Sequence, residues 1–115
     1  MTYPTWMSAK GRQQLYEACL IAGIQERPIM ISESTATVVN YAQENSSNLS
    51  RIKAPKTVVF VDMGYSQTTV TAARFEQVND GSRYIKGTVL CHESNKNLGG
   101  RDLDWALLKN VAVDI

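Results

Sequence analysis

The chain has 115 residues, of which 43% are hydrophobic and 20% are charged, with a formal net charge of +1 at pH 7. This length suits one domain or a piece of one, and the composition is ordinary for a globular protein. The near-neutral charge excludes a broad basic face for nucleic acid or for an anionic membrane surface. No apolar run approaches the roughly 20 residues of a membrane span, and the first six residues lack the apolar core of a signal peptide.

The first half of the chain predicts a helix, a short strand and a second helix. Ser8 is a favourable N-cap for a helix that runs to about Ala22. The apolar run within Arg27–Ser32 predicts a central strand, and Glu33–Glu44 predicts the second helix. The polar stretch Asn45–Lys56 has no hydrophobic periodicity, so it predicts a linker.

The second half predicts a meander of three strands and a final helix. The strands are expected over Lys56–Asp62, Gln67–Gln77 and Ser82–His92. The triplet Asn79-Asp80-Gly81 between the last two strands is a strong hairpin signal. A loop with paired glycines then leads into a helix that is expected to begin near Arg101.

The cysteines, the histidine and the tryptophans are not spaced as in any metal-binding or catalytic motif. Cys19 and Cys91 have no metal-type spacing and are predicted to be buried, reduced thiols, which favours a cytoplasmic protein. The lone His92 is predicted to lie on the surface. Trp6 and Trp105 are predicted to be packing residues, with contact to a partner as the alternative for Trp105 if the chain is a fragment.

The stretch Val58–Thr69 carries the strongest functional signal. An apolar strand runs into Asp62 and then into a turn, where Gly64 is expected to take backbone angles closed to other residues. The side chains of Ser66–Thr68 add hydrogen-bond donors. A carboxylate followed by a turn rich in donors predicts a site for a phosphate and its metal. An ordinary hairpin turn is the alternative interpretation, since Asp and Gly favour turns for conformational reasons alone.

Motif blocks spread along nearly the whole chain resemble one protein family. The blocks are Tyr3-Pro4-Thr5-Trp6 with Arg12-Gln13, Ala22-Gly23-Ile24, Ser32-Glu33-Ser34-Thr35-Ala36, Phe60-Val61-Asp62-Met63-Gly64 and Leu98-Gly99-Gly100-Arg101-Asp102-Leu103-Asp104. In this order they resemble the nucleotide-binding domain of the seventy-kilodalton heat shock chaperones (DnaK-type). The resemblance is greatest to the large, hundred-and-ten-kilodalton class, whose members act as nucleotide exchange factors.

The resemblance implies an α/β fold that is part of an actin-like ATPase (ribonuclease H-like) fold, with pieces of two lobes. Residues 1–45 would be the end of lobe I, and residues 46–56 a linker. Residues 57–97 would begin lobe II as a three-strand meander, and residues 98–115 would form a helix of that lobe. The abrupt ends of the pattern indicate a piece of a longer protein.

The resemblance also implies roles for individual residues. Asp62 matches an aspartate near the metal, which it contacts through water, and near the attacking water. Glu33 matches a glutamate that positions this water and couples lobe closure. Pro4 and Arg12 match a pair that transmits the nucleotide state to a partner domain. The residues implied to hold the nucleotide are Gly64, Tyr65, Ser66, Gln67 and Thr69.

Departures from the family pattern weaken the implied catalysis. Tyr65 and Ser66 replace two glycines, which limits how closely the loop can approach phosphates. Gln67 replaces a threonine, Thr69 stands where a second aspartate is expected, and Ser34 replaces a proline. Loss of a carboxylate matters because phosphoryl transfer depends on positioning and electrostatics. Asp62 and Glu33 are therefore expected to be weak or vestigial catalytic residues.

The expected function is that of an ATP-binding and Mg²⁺-binding heat shock protein of the stress response. We expect a co-chaperone that acts as nucleotide exchange factor and holdase, with slow or absent ATP hydrolysis. Its partners would be a DnaK-type chaperone and unfolded polypeptides. The alternatives are an active DnaK-type ATPase and another protein of the same superfold, such as an actin-like protein or a sugar kinase. The glycosylation triplets at Asn45 and Asn48 leave the endoplasmic reticulum lumen as an alternative to the cytoplasm.

Overall fold

The computed structural model describes residues 1–24, 27–79 and 83–113. It is a mixed α/β structure in which a parallel strand pair, β1-β2, precedes an antiparallel sheet of order β3-β4-β5. None of the described helices has the length and apolar character needed to cross a membrane. In chain order the elements are β1 (Thr2–Tyr3), α1 (Ala9–Ile21), β2 (Ile31–Ser32), α2 (Glu33–Glu44), α3 (Ser46–Leu49), β3 (Lys56–Met63), β4 (Thr68–Asn79), β5 (Arg83–Asn95) and α4 (Gly100–Val113).

The first helix, α1, begins and ends as predicted. The Ser8 hydroxyl accepts a hydrogen bond from the Gly11 N–H at 3.1 Å and so caps the first turn. At the other end Gly23 has a φ of +67°, and the following Ile24 N–H donates to the Cys19 carbonyl at 3.2 Å. A left-handed glycine with this bond ends the helix because it satisfies a carbonyl of the last turn.

The strand predicted over Arg27–Ser32 is much shorter than expected, so that prediction was wrong. Only Ile31–Ser32 is a strand, and it pairs in parallel with Thr2–Tyr3. Ile29 is 74% exposed, and Pro28 has no N–H to contribute to a sheet. Ser32 ends the strand because its hydroxyl accepts from the Thr35 N–H at 3.1 Å and caps α2. Within the described residues, this strand therefore has one neighbour and is not central.

Helix α2 has the predicted bounds and forms the main packing contact with the three-strand sheet. Its Val38 is buried in one cluster with Ala73 and Phe75 of β4. The centroid of the Tyr41 ring lies 5.2 Å from the ring centroid of Phe60 and 5.2 Å from that of Phe75. These contacts bury the apolar side of α2 and bring its N-terminus to the end of the sheet where β3 finishes.

The predicted linker contains a short helix, α3, which the sequence did not indicate. Leu49 at its end is 1% exposed and joins the core cluster below α2. The Leu49 N–H donates to the Asn45 carbonyl at 2.9 Å, which closes the single turn. Leu49 and Ile52 are too few to show a helical periodicity in this polar stretch, so the prediction of an irregular linker over Asn45–Lys56 was wrong at this turn.

The meander of three antiparallel strands is confirmed, with strands β4 and β5 longer than predicted. In β3, Val58 and Phe60 pack toward α2, whereas Val59 and Val61 on the opposite face are exposed. A β-bulge interrupts the pairing of β4 with β5 between Ala72 and Ala73. The predicted turn Asn79-Asp80-Gly81 falls mainly on residues outside the described ranges.

The distinctive single residues are less buried than the sequence indicated. Cys19 is buried, as predicted, but Cys91 is exposed; both are free thiols. Trp6 is 42% exposed and Trp105 also lies largely in solvent, so the prediction that both are packing residues was wrong. His92 is exposed, as predicted. The apolar residues of α4 also face solvent: Leu103, Leu107, Leu108 and Val111.

The start of α4 is fastened to the turn between β3 and β4. The N–H groups of Gly100 and Arg101 donate to the carbonyls of Gly64 and Tyr65, each at 2.9 Å. Gly99 permits this contact, since a Cβ at that position would lie 2.5 Å from the Tyr65 carbonyl oxygen. A Cβ on Gly100 would find its nearest atoms only at 3.8 Å. Only the first glycine of the pair is therefore required by close packing.

This difference predicts unequal effects of two adjacent substitutions. We expect Gly99→Ala to lower the free energy of unfolding by about 1–3 kcal/mol, because the added methyl group overpacks a backbone contact. Gly100→Ala, the matched control, should change it by less than about 1 kcal/mol, since there is room for a methyl group and alanine favours helix. Urea unfolding of the chain followed by circular dichroism measures both. Equal destabilisation by the two variants would contradict this packing argument.

Candidate functional site

The turn from Gly64 to Gln67, which joins β3 to β4, is closed by a hydrogen bond from the Gly64 N–H to the Gln67 carbonyl at 2.8 Å. Gly23 is the one glycine with a positive φ in the part of the chain that the structure describes. The expectation that Gly64 uses such angles was therefore wrong. The glycine that this region requires is Gly99, where the start of α4 packs closely against the Tyr65 backbone. Tyr65 is 68% exposed, and neither its N–H nor that of Ser66 donates to another described residue. The turn thus presents free donors to solvent.

Asp62 and Thr69 lie side by side where β3 and β4 pair next to this turn. They are directly opposite each other in the antiparallel register. The Asp62 side chain is exposed, whereas Thr69 is 7% exposed and its hydroxyl is hydrogen-bonded to that of Ser94 at 3.1 Å. The position expected to carry a second carboxylate therefore carries a buried hydroxyl that already has a partner.

Glu33 and Gln67 are brought together although 34 residues separate them. Gln67 Nε2 donates to Glu33 Oε2 at 3.4 Å, and Gln67 Oε1 accepts from the indole N–H of Trp6. The Lys96 ammonium lies over the Trp6 ring, 3.8 Å from its centroid. Sequence reasoning missed Trp6 and Lys96, because an isolated tryptophan or lysine has no motif that reveals its neighbours.

A second set of contacts, made by hydroxyl groups, involves the residues next to Trp6 and Glu33 in sequence. Ser34 lies between Thr5 and Thr71, with oxygen–oxygen distances of 3.0 and 2.8 Å. Ser34 and Thr71 are both almost fully buried, and each finds a hydrogen-bond partner in the other. Proline at position 34 would lack this hydroxyl. The only sequence signal for the contact was the departure from the family pattern at Ser34.

Pro4 and Arg12 lie close in sequence but make separate contacts. The Pro4 carbonyl accepts from the Met7 N–H at 2.9 Å. The Arg12 guanidinium lies over the ring of Tyr3, 5.4 Å from its centroid. No hydrogen bond joins Pro4 to Arg12 among the residues described, so their predicted coupling role stays a prediction.

The residues fit a nucleotide and its magnesium ion in part. The free N–H groups of the turn suit phosphate oxygens, and Asp62 offers one exposed carboxylate. Mg²⁺ is commonly bound through one or two carboxylates, phosphate oxygens and several waters. Within residues 1–24, 27–79 and 83–113, no group of three or more His, Cys, Asp or Glu side chains could hold a metal by itself. A metal here would therefore need the phosphates of its nucleotide.

Asp62 lies on an open surface, and the three larger cavities lie away from it and from the turn. One of about 410 Å³ lies at the linker beside Arg51 and Pro55. Others of about 380 and 420 Å³ lie beside Tyr84 and beside Tyr41. A smaller one of about 240 Å³ is lined by Tyr65, Arg101, Asp104, Trp105 and Leu108. Asp62 lines none of these four, so any ligand on it would need further walls from elsewhere.

Comparison with known proteins gives consistent matches. The sequence model of the HSP70 family, "Hsp70 protein", matches residues 1–115. The "97 kDa heat shock protein" of Strongylocentrotus purpuratus is 35% identical over 114 residues, covering 99% of this chain and 12% of that protein. "Heat shock 70 kDa protein 16" of Arabidopsis thaliana is 31% identical over 112 residues, covering 96% of this chain and 13% of that protein.

A fungal relative extends the same picture. "Heat shock protein hsp88" of Neurospora crassa is 30% identical over 112 residues, covering 96% of this chain and 15% of that protein. The chain thus spans between 12% and 15% of the length of these relatives. The family match covers every motif block of the sequence. The chain therefore belongs to the heat shock protein 70 superfamily, and its 97 kDa relatives support the predicted resemblance to the large, 110-kilodalton-type branch.

Proposed function

We propose that the chain is part of the ATP-binding domain of a heat shock co-chaperone, which acts as nucleotide exchange factor and holdase with weak or no ATP hydrolysis. Its proposed partners are a DnaK-type chaperone and unfolded polypeptides. The observation that carries the proposal is the pair Asp62 and Thr69, where one carboxylate stands opposite a buried hydroxyl. The free thiols of both cysteines favour the cytoplasm as the compartment.

Nucleotide binding is supported by the shape of the β3–β4 turn. The N–H groups of Tyr65 and Ser66 have no acceptor among the described residues, and successive free N–H groups in a turn suit anions. The bonds from Gly100 and Arg101 to Gly64 and Tyr65 hold this turn in place, so little ordering is needed when a ligand binds. Mg²⁺ would neutralise phosphate charge, with Asp62 holding it through water. The superfamily's actin-like ATPase fold would supply the remaining walls from the rest of the protein.

Weak hydrolysis is supported by the hydrogen bonds that Thr69 and Gln67 already make within the chain. Phosphoryl transfer needs preorganised charge around the reacting phosphate and its attacking water. The Thr69 hydroxyl is bonded to Ser94, and the Gln67 amide is bonded to Trp6 and Glu33. Asp62 is thus the one candidate carboxylate without a described partner. An active DnaK-type ATPase is the alternative, and it would require compensating groups elsewhere in the protein.

Turnover by the whole protein tests the proposal. We expect the intact protein to bind ATP and to speed nucleotide release from a DnaK-type chaperone. Its own steady-state hydrolysis should be at least about tenfold slower than that of the chaperone, equivalent to about 1.4 kcal/mol of barrier. Phosphate-release kinetics measure the hydrolysis, and displacement of a fluorescent nucleotide measures the exchange. Hydrolysis at the chaperone's own rate would favour the active ATPase instead.

Position 69 can be tested directly in the whole protein. Thr69→Asp should raise hydrolysis by about tenfold, because it restores a carboxylate opposite Asp62. Ser94 can donate to that carboxylate, which reduces the cost of burying it. Val70→Asp is the matched control, since it adds the same charge at the next residue on the opposite face of the sheet. A folded Thr69→Asp variant with unchanged hydrolysis would show that this position does not limit turnover.

The chain alone should bind ATP weakly, with a dissociation constant near or above about 1 mM. The physical reason is that Asp62 and the turn lie on an open surface, whereas ligands bind tightly where most of their area is buried. Isothermal calorimetry with Mg²⁺-ATP measures this, and inorganic triphosphate serves as a comparison that lacks the nucleoside. Micromolar affinity of the chain for ATP would contradict the argument.

A further inference from the structure

The contact between Trp6, Gln67 and Glu33, here named the clasp, joins three segments that are far apart in sequence. Trp6 precedes α1, Glu33 begins α2, and Gln67 ends the turn between β3 and β4. The indole N–H of Trp6 donates to Gln67 Oε1, while Gln67 Nε2 donates to Glu33 Oε2 at 3.4 Å. Gln67 is therefore the middle member, since it is hydrogen-bonded to both of the others.

An amide side chain is suited to this middle position. The indole N–H can only donate and an ionised carboxylate can only accept, so a bridging group must do both. The amide of Gln67 has its acceptor and its donors on separate atoms and can serve both partners at once. If the amide were removed, Trp6 and Glu33 would be two groups of fixed polarity with nothing between them.

Two further contacts fix the geometry around the clasp. Lys96, just beyond the end of β5, covers one face of the Trp6 ring at 3.8 Å. The neighbouring Thr5 hydroxyl is bonded to the buried Ser34, the residue after Glu33. Thr5 thus contacts α2 directly, whereas the next residue, Trp6, is connected to α2 through Gln67. This limits the freedom of the backbone on both sides of the Trp6–Gln67 bond.

We propose that Gln67 is a positioning residue, which fixes the side chains of Trp6 and Glu33 and holds the β3–β4 turn against the N-terminal segment without any ligand. The inference goes beyond the proposed co-chaperone function, because it concerns the chain itself and its test needs no nucleotide. In the clasp, one carboxylate oxygen of Glu33 accepts a hydrogen bond from the Gln67 amide. This bond restricts the orientation of the Glu33 side chain when no ligand is bound.

The indole N–H resonances provide the readout. The chain has two tryptophans, so a ¹H–¹⁵N spectrum has two indole signals, and Trp105 serves as internal reference. Gln67→Met keeps the length of the side chain but removes the amide. We expect it to shift the Trp6 signal upfield toward that of a free indole, while the Trp105 signal stays in place. Hydrogen exchange of the Gly64 N–H, which donates to the Gln67 carbonyl, should rise about fivefold, the equivalent of one net hydrogen bond.

Gln13→Met is the matched control. Gln13 Nε2 donates to Glu17 Oε1 at 2.8 Å on the exposed side of α1, so this substitution breaks the same kind of bond elsewhere. It should leave the Trp6 signal unchanged. If Gln67→Met leaves the Trp6 signal at its original position, or if both variants shift it equally, the proposal is overturned.

Variants of Glu33 test whether the effect passes through Gln67. Glu33→Ala removes the acceptor of the Gln67 amide and should shift the Trp6 signal, because Gln67 is then free to rotate. Glu33→Gln keeps an acceptor oxygen at the same distance and should restore the original signal. If the Trp6 signal is unchanged in both variants, Gln67 does not couple the position of the Trp6 side chain to that of Glu33.

Discussion

The packing of α2 on the three-strand sheet is the contact on which the remaining arrangement depends. Val38 and Tyr41 on one side of this helix meet Phe60 of β3 and Phe75 of β4, and Leu49 from the short helix α3 completes the cluster. Each aromatic ring buries a large apolar area, so this cluster supplies much of the hydrophobic stabilisation of the described chain. It also sets the position of the first turn of α2, since the helix is rigid over its 12 residues.

The polar contacts in the first turn of α2 depend on this position of the helix. Glu33 reaches Gln67, and Ser34 lies between Thr5 and Thr71. Such bonds contribute about 1 kcal/mol each and cannot bring distant segments together unaided. Their value lies in geometry, because they select one orientation of groups that the hydrophobic core has already brought near. The contact surface near the β3–β4 turn is thus defined by side chains from both halves of the chain.

The turn between β3 and β4, proposed here to bind phosphate, is held by contacts of its backbone. Its backbone is held by the start of α4 through the close approach at Gly99. Tyr65 and Ser66 tolerate this arrangement, since their side chains point into solvent. Binding through backbone N–H groups and hydrolysis through carboxylates therefore depend on different atoms. Loss of the second need not remove the first, which is the physical basis of the proposed co-chaperone role.

Signals within the sequence predicted helices α1 and α2, the three-strand meander and the family. Ser8 and Gly23 predicted the ends of α1, both bounds of α2 were predicted correctly, and ordered motif blocks predicted the superfamily that the comparison confirmed. These signals are local, because caps, glycines and periodic apolar residues act within a few positions of one another. The tertiary structure alone decided the burial of Leu49, the exposure of Trp6 and the contact of Gln67 with Glu33. Those features depend on which segments meet in space, and no periodicity along the chain records that.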